Sequence, residues 1–228
     1  MKRLLDIWLS AIGIVALGLP LAAIALWIKL DSRGPLLYRG ERVGRHGRRF
    51  RIAKFRTMVV DADQIGGSST ADDDPRITRA GHWLRRLKLD ELPQLFNVFM
   101  GTMSFVGPRP QVQWAVDLYS EAERDLLSVR PGITDYASLA FRNEGEILRG
   151  SSDPDADYLK LIAPRKNRLA LEYVHRHNVI TDLKVITATV LAIAGVDPLW
   201  CQSPDGKVII KQFEQEQQQR QQPQRAAA

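Results

Sequence analysis

Residues 7–28, IWLSAIGIVALGLPLAAIALWI, carry no charged side chain, and what they form decides what the rest of the chain can be. As one straight helix rising ~1.5 Å per residue, the run could cross ~30 Å of hydrocarbon. A signal peptide is the plainer alternative, but the run is long for an h-region and no clear polar cleavage region comes after it. The next segment is instead densely basic: Arg33, Arg39, Arg42, Arg45, Arg48, Arg49, Arg51, Lys54 and Arg56. Positive charge on that flank keeps it on the cytoplasmic side, so residues 1–33 read as a retained membrane anchor.

The route of the anchor stays open at this level. Lys2 and Arg3 make the leading flank basic too, so both ends favour the cytoplasmic face. Pro20 removes a backbone donor and, with Gly13 and Gly18 before it, can hinge a helix-break-helix that enters and leaves by one face. A spanning helix with a mild kink fits the same residues.

Outward from the anchor, YRGERVGRHGRRFRIAKFRTM (38–58) reads as short extended pieces around Gly40, Gly44 and Gly47, a small β-hairpin. The Gly, Ser and Asp content of residues 61–75 marks a surface loop. Helical patterning resumes near Gly81 and again from Pro93. Val112, Ala115, Val116, Tyr119, Leu126 and Leu127 give residues 111–129 the period of one amphipathic helix, ended by Pro131-Gly132. A second loop over 145–154 precedes helical patterns over 158–177 and 182–194. The latter is too short to cross a bilayer, and suits either a buried core helix or one lying in the interface. From about Lys211 the chain is Gln-rich, and a disordered tail is expected over 211–228. There is no internal repeat. The expected fold is α/β and helix-rich, with one compact domain over 34–210.

A chain of 228 residues can bury one sizeable core. Its net charge of +6 and pI near 9.6 favour an anionic partner: nucleic acid, anionic lipid or a phosphorylated substrate. The single cysteine, Cys201, excludes an intramolecular disulfide and fits a reducing compartment. His46, His82, His175 and His177 lack zinc-ligand spacing.

The chemistry concentrates in LDELPQLFNVFMGTMSFVGPRP (89–110). Asp90 and Glu91 can hold a divalent cation or attack phosphorus. Alone, an acidic pair ahead of Pro93 is more simply a helix cap, yet a helix N-terminus also attracts phosphate, and the two roles are compatible. Two prolines bracket Arg109 and limit its backbone freedom, which suits a guanidinium gripping a diphosphate; a rigid turn with a solvent-facing arginine is the bland reading. Lys54 and Arg56 share a face in an extended segment and could neutralise phosphate or head groups, or simply be solvated. Arg85 and Arg86 admit the same two readings.

Taken in order, KRLLDIWLSAIGIVALGLPLAAIAL (2–26), the 38–58 segment, LRRLKLDELPQLFNVFMGTMSFVGPRP (84–110) and RPGIT (130–134) resemble the bacterial sugar transferase family, the small monotopic phosphoglycosyltransferases. The resemblance spans roughly residues 1–200. It implies an enzyme that moves a sugar 1-phosphate from a UDP-sugar to polyprenyl (undecaprenyl) phosphate, releasing UMP and starting a polysaccharide or glycoconjugate. It further implies a re-entrant anchor hinged near Pro20, at the cytoplasmic leaflet of the bacterial inner membrane, with a catalytic domain bearing interfacial amphipathic helices. By the same resemblance Asp90 is the nucleophile of a covalent phosphosugar intermediate, and Glu91 its partner toward acceptor or metal. Mg²⁺ is the implied cofactor, held by Asp90 and Glu91. Arg109, Lys54, Arg56 and Arg85 are the expected phosphate contacts.

Two departures stand out. Gly40 occupies a position where the family often has Gln, and DYASLAFRNEGEIL (135–148) replaces the common Gly-Trp-Gln-Val continuation after RPGIT. The sugar therefore cannot be carried over from the family. The chain also reads as a minimal form without extra N-terminal helices, and dimerisation is left open. A membrane-tethered nucleic-acid-binding protein would account for the basic charge, and a non-catalytic scaffold for the anchor and tail. Neither gives the carboxylate pair or the Pro-Arg-Pro turn a purpose, and no groove-binding motif is present, so nucleic acid is not an expected partner.

Overall fold

The structure, a computed structural model, describes residues 1–197, 201–202, 206–213 and 215. The apolar N-terminal run forms two helices, α1 (Lys2–Ala16) and α2 (Gly18–Asp31), bent by 61° at Leu17. The bend therefore precedes Pro20, which sits in the first turn of α2. A proline cannot donate to the carbonyl one turn earlier and its ring crowds that carbonyl, so the helix breaks on its N-terminal side. In a first turn, by contrast, the missing donor costs nothing. Among the described residues no single helix is long and apolar enough to cross a membrane, whereas this bent pair passes that test together.

Both ends of the pair are fastened to one body. At the start, Lys2 Nζ donates to Asp182 Oδ2 (2.6 Å) and to the Val106 carbonyl (3.0 Å). Arg3 donates to the Phe99 carbonyl (2.7 Å), and buried Asp6 accepts from Ser104 Oγ (3.0 Å) and the Phe105 amide (3.1 Å). At the far end Asp31 Oδ2 accepts from the Ala80 amide (3.2 Å), and Ile24 and Ile28 pack on Phe55 and Leu84.

The expected hairpin is present as two nested antiparallel ladders. β1 (Leu37–Tyr38) pairs with β4 (Lys54–Phe55), and inside them β2 (Glu41–Val43) pairs with β3 (Arg49–Arg51). The 61–75 loop contains a single helical turn, α3 (Ala62–Ile65), and Arg76 ties it down by donating to the Ala62 and Gly67 carbonyls. α4 (Arg79–Arg86) begins at Thr78, whose hydroxyl accepts from the Gly81 amide (3.0 Å), and α5 (Gln94–Met100) ends on left-handed Gly101. β5 (Ser104–Val106) and β6 (Gly132–Thr134) form a parallel pair.

One helix over 111–129 does not form. α6 (Gln113–Asp117) stops and a 3-10 turn covers Ala122–Leu127. Between them Ser120 and Glu123 make a reciprocal cap: the Ser120 amide donates to Glu123 Oε2 (2.9 Å) and the Glu123 amide to Ser120 Oγ (3.3 Å). A capping box starts a new helix, and here it overrides continuous apolar periodicity. α7 (Tyr136–Ala140), α8 (Glu144–Ile147) and α9 (Pro154–Asp157) are short, and a π-helical turn over Tyr158–Ile162 leads into α10 (Ala163–Arg176). α11 (Val179–Ile193) packs one side into the core, with Val185 and Ala188 buried, while Ile180, Leu183, Val190 and Ile193 are exposed.

The main core gathers Val106, Leu139, Phe141, Leu148, Ile162, Leu169, Tyr173 and Val185. Residues 206–213 are helical and join it, with the Phe213 ring 5.0 Å from Phe141, so packed structure runs past the expected boundary at 210. The expected tail beyond residue 215 lies outside the described residues. A second apolar surface faces outward instead: Leu4, Trp8, Ile12 and Val15 of α1, with Phe96, Phe99 and Met100 of α5. Gly13 of α1 comes against Leu95 of α5, so the two helices contribute to one face.

Candidate active site

Lys88, in the left-handed conformation (φ 56°), turns the chain out of α4 into a 3-10 turn over Leu89–Glu91. That turn carries both carboxylates and passes through Pro93 directly into α5. Arg109 arrives from elsewhere. After β5 the chain runs through Gly107 so close to β6 that a side chain there would strike the Arg130 carbonyl at 2.3 Å, and one on Gly132 would strike the Gly107 amide at 2.1 Å. The Gly107 amide donates to the Thr134 carbonyl (3.0 Å) and the Gly132 amide to Pro108 (3.0 Å). Two glycines facing each other thus seat the Pro-Arg-Pro turn against the backbone.

From there Arg109 reaches Glu91 in bidentate fashion, Nη2 to Oε1 at 2.7 Å and Nη1 to Oε2 at 3.4 Å. Lys54, on β4, donates to the same Oε1 at 2.8 Å. Burial alone would raise the pKa of Glu91, but Arg109 and Lys54 outweigh it and hold the carboxyl well below its ordinary range. The Arg109 guanidinium is correspondingly pushed up by Glu91. Glu91 is thus held toward its anionic form with both oxygens engaged.

Asp90 stands in the opposite condition. It is 7% exposed, and among the described residues no hydrogen bond or ion pair reaches its carboxylate. Burial raises its pKa, with Lys54 pulling it down and the Glu91 charge pushing it up. Arg85 and Lys88 lie within electrostatic reach of it. Lys54, Arg85, Lys88 and Arg109 outnumber the two carboxylates, so the turn offers a net positive field to an incoming anion.

Of the residues expected at the site, Asp90, Glu91, Arg109 and Lys54 converge, and Arg85 borders them. Arg56 does not: its guanidinium is buried and donates to the Ser32 carbonyl (2.7 Å), Ser32 Oγ (3.0 Å) and the Arg33 carbonyl, securing the end of α2. Lys88, Glu144 and Lys166 were not expected. Lys88 adjoins the carboxylate pair and its charge alone could have drawn notice. Glu144 and Lys166 pair across distant segments, which no spacing foretells.

A cation fits only part of this donor set. Among the described residues no cluster of three or more potential ligands exists. Glu91 is saturated by two cationic side chains, which leaves Asp90 as the one carboxylate of the pair free to ligate. One carboxylate plus substrate phosphates is an ordinary arrangement for magnesium.

The family model of the bacterial sugar transferases matches residues 1–195. The chain belongs to this family. Among its curated relatives, the undecaprenyl-phosphate glucose phosphotransferase of Komagataeibacter xylinus is 39% identical over 196 residues, 83% of this chain and 35% of that one. The UDP-glucose:undecaprenyl-phosphate glucose-1-phosphate transferase of Escherichia coli K12 is 35% identical over 199 residues, 83% of this chain and 39% of that one. The exopolysaccharide production protein PSS of Rhizobium leguminosarum is 37% identical over 199 residues and is covered over 94% of its length. This bacterial sugar transferase thus spans well under half of the first two relatives and nearly all of the third.

Proposed function

We propose that the protein transfers a sugar 1-phosphate from a UDP-sugar to polyprenyl phosphate at the cytoplasmic face of a membrane. The observation that carries this reading is the contrast at the 3-10 turn: Asp90 unpaired beside Glu91, which two cations hold. In the first step an Asp90 oxygen attacks the β-phosphorus of the donor. The bond from that phosphorus to the bridging oxygen breaks, and UMP leaves with the electron pair. In the second step a phosphate oxygen of the polyprenyl phosphate attacks the same phosphorus and the acyl-phosphate bond breaks, restoring the Asp90 carboxylate and yielding polyprenyl diphosphate-sugar.

Each neighbouring residue has a part set by its geometry. Glu91 positions Arg109 and Lys54, and the outward part of the Arg109 guanidinium, whose side chain is 35% exposed, is available to the diphosphate. Arg85 and Lys88 add positive charge on the Asp90 side, which offsets the repulsion between a carboxylate and an anionic donor. Of the carboxylate pair, Asp90 is the residue that would hold a magnesium ion, which would supply further screening of that charge. Splitting the transfer into two displacements lets a soluble donor and a lipid acceptor use one site in turn.

The fastening of both ends of the α1–α2 pair to the same body supports a re-entrant anchor, and the outward apolar residues of α1, α5 and α11 supply the surface that lipid would cover. Purified protein with UDP-sugars, polyprenyl phosphate and Mg²⁺ should release UMP, and Asp90→Asn should lower the rate by about 1000-fold. With donor alone, intact mass should rise by one sugar phosphate at Asp90. An unaltered rate in Asp90→Asn removes the nucleophile.

A further inference from the structure

Beside the Pro-Arg-Pro turn, Gln111, Tyr158 and Lys166 form a wall together with Glu144 of α8. Gln111 Nε2 donates to the Tyr158 hydroxyl (3.3 Å), and the Tyr158 ring centroid lies 5.6 Å from Lys166 Nζ. Lys166 in turn makes a 2.6 Å ion pair with Glu144. The lysine is 5% exposed, while the Glu144 side chain keeps 30% of its surface. Glu144 also lies within electrostatic reach of Arg109 and Lys88. Its loop is locked to the acidic loop: the Asp72 amide donates to the Gly145 carbonyl (3.1 Å) and the Gly150 amide to Asp73 Oδ2 (3.2 Å).

A buried ion pair adds little net stability, because desolvation offsets the attraction. Its value here lies in what it presents. The pair carries no net charge, so it leaves the diphosphate to Lys54, Lys88 and Arg109, yet it offers a fixed carboxylate to a neutral polar group. We propose that Glu144, positioned by Lys166, accepts hydrogen bonds from hydroxyls of the donor's sugar and so sets which UDP-sugar is used. The inference rests on the transferase reading above. The sugar is favoured over the uridine because it stays on the phosphorus through both displacements, whereas UMP departs after the first. A site built to hydrogen-bond a hydroxyl discriminates strongly against a substrate that misplaces it.

The test compares UMP release from UDP-sugars that differ at one hydroxyl, for wild type, Glu144→Gln, Lys166→Arg and the double variant Glu144→Gln/Lys166→Met, which leaves no buried charge unpaired. In Glu144→Gln and the double variant, the kcat/KM ratio between the best donor and its epimer should fall about tenfold. Lys166→Arg should keep that ratio, and inhibition by UMP should be unchanged in all. A uniform loss across every UDP-sugar, weakened UMP inhibition, or a lowered melting temperature with the ratio intact would overturn the assignment while leaving the transferase standing. No UMP from any UDP-sugar with wild type would remove both.

Discussion

The two halves of this molecule are packed in opposite senses. Around α7, α10 and the inner side of α11 the apolar side chains point inward, and Tyr173, Leu169, Ile162 and Val185 are almost wholly buried. In the half made by α1, α2, α4 and α5 the large apolar residues Trp8, Ile12, Leu19, Leu26, Phe96 and Met100 point outward. There, inward attachment is made by polar hooks: Lys2, Arg3, Asp6, Asp31 and Arg56. The first arrangement is that of a globular core. The second suits the re-entrant reading proposed above, since lipid gives apolar contacts no premium and rewards satisfied polar groups. The turn that carries Asp90 and Glu91 lies at the seam, taking Lys54 from the hairpin that α2 leans on and Arg109 from the strand pair that the main core supports.

Breaking the seam should have the largest effect. Glu91→Ala strands the largely buried Lys54 and the partly exposed Arg109 and should cost about 3 kcal/mol of stability, read as a lowered melting temperature in detergent, along with most of the activity. Because the Glu91 pKa is depressed, its contribution is present above the ordinary glutamate value and is lost as pH falls through its lower folded value. Near neutral pH that contribution should be flat. Asp90 is raised, so the acid limb of kcat/KM should fall above the ordinary aspartate value of 3.8, and a limb at or below that value would contradict its buried, unpaired state.

Unhooking the outward-facing half comes next. Arg56→Met leaves the Ser32 and Arg33 carbonyls without their donor and should cost about 2 kcal/mol, with α2 more open to proteolysis. An intermediate effect is expected from Phe96→Ser/Phe99→Ser: vesicle flotation should weaken several-fold while the melting temperature in detergent stays nearly unchanged, since both rings are exposed. A cysteine replacing Lys2 should resist impermeant thiol reagents applied outside the cell; labelling there would indicate a spanning helix. The smallest change should come from the inward-packed half. Ser120→Ala removes one side of a capping box and should cost about 1 kcal/mol, with no change in donor preference.

Several of these features could be read without coordinates, and the exceptions have physical causes. Glycines at 40, 44 and 47 marked the hairpin, and of the three Gly47 takes the left-handed conformation (φ 73°). The Asp90, Glu91 and Arg109 convergence was legible only through the order of motifs, since nothing local ties a 3-10 turn to a later Pro-Arg-Pro. Alternation put Lys54 and Arg56 on one face, but β4 ends at Phe55, and past it the pleat no longer dictates direction. Arg56 therefore turns to α2. The periodicity of 111–129 was real, yet one Ser-Glu cap outweighed it. The Glu144–Lys166 pair depends on two segments meeting in space, which a single sequence does not display.

The hooks on the first helix have a practical corollary for anyone wishing to handle this protein in water. Deleting the leading thirty-one residues would not liberate an intact folded fragment. It would strip Ser104 and the Phe105 amide of Asp6, expose Phe55 and Leu84 where Ile24 and Ile28 now sit, and take the lysine from Asp182. Under the re-entrant reading proposed above, the helix pair is a wall of the house rather than its mooring rope, so solubilisation would have to bring the lipid, or a substitute for it, along.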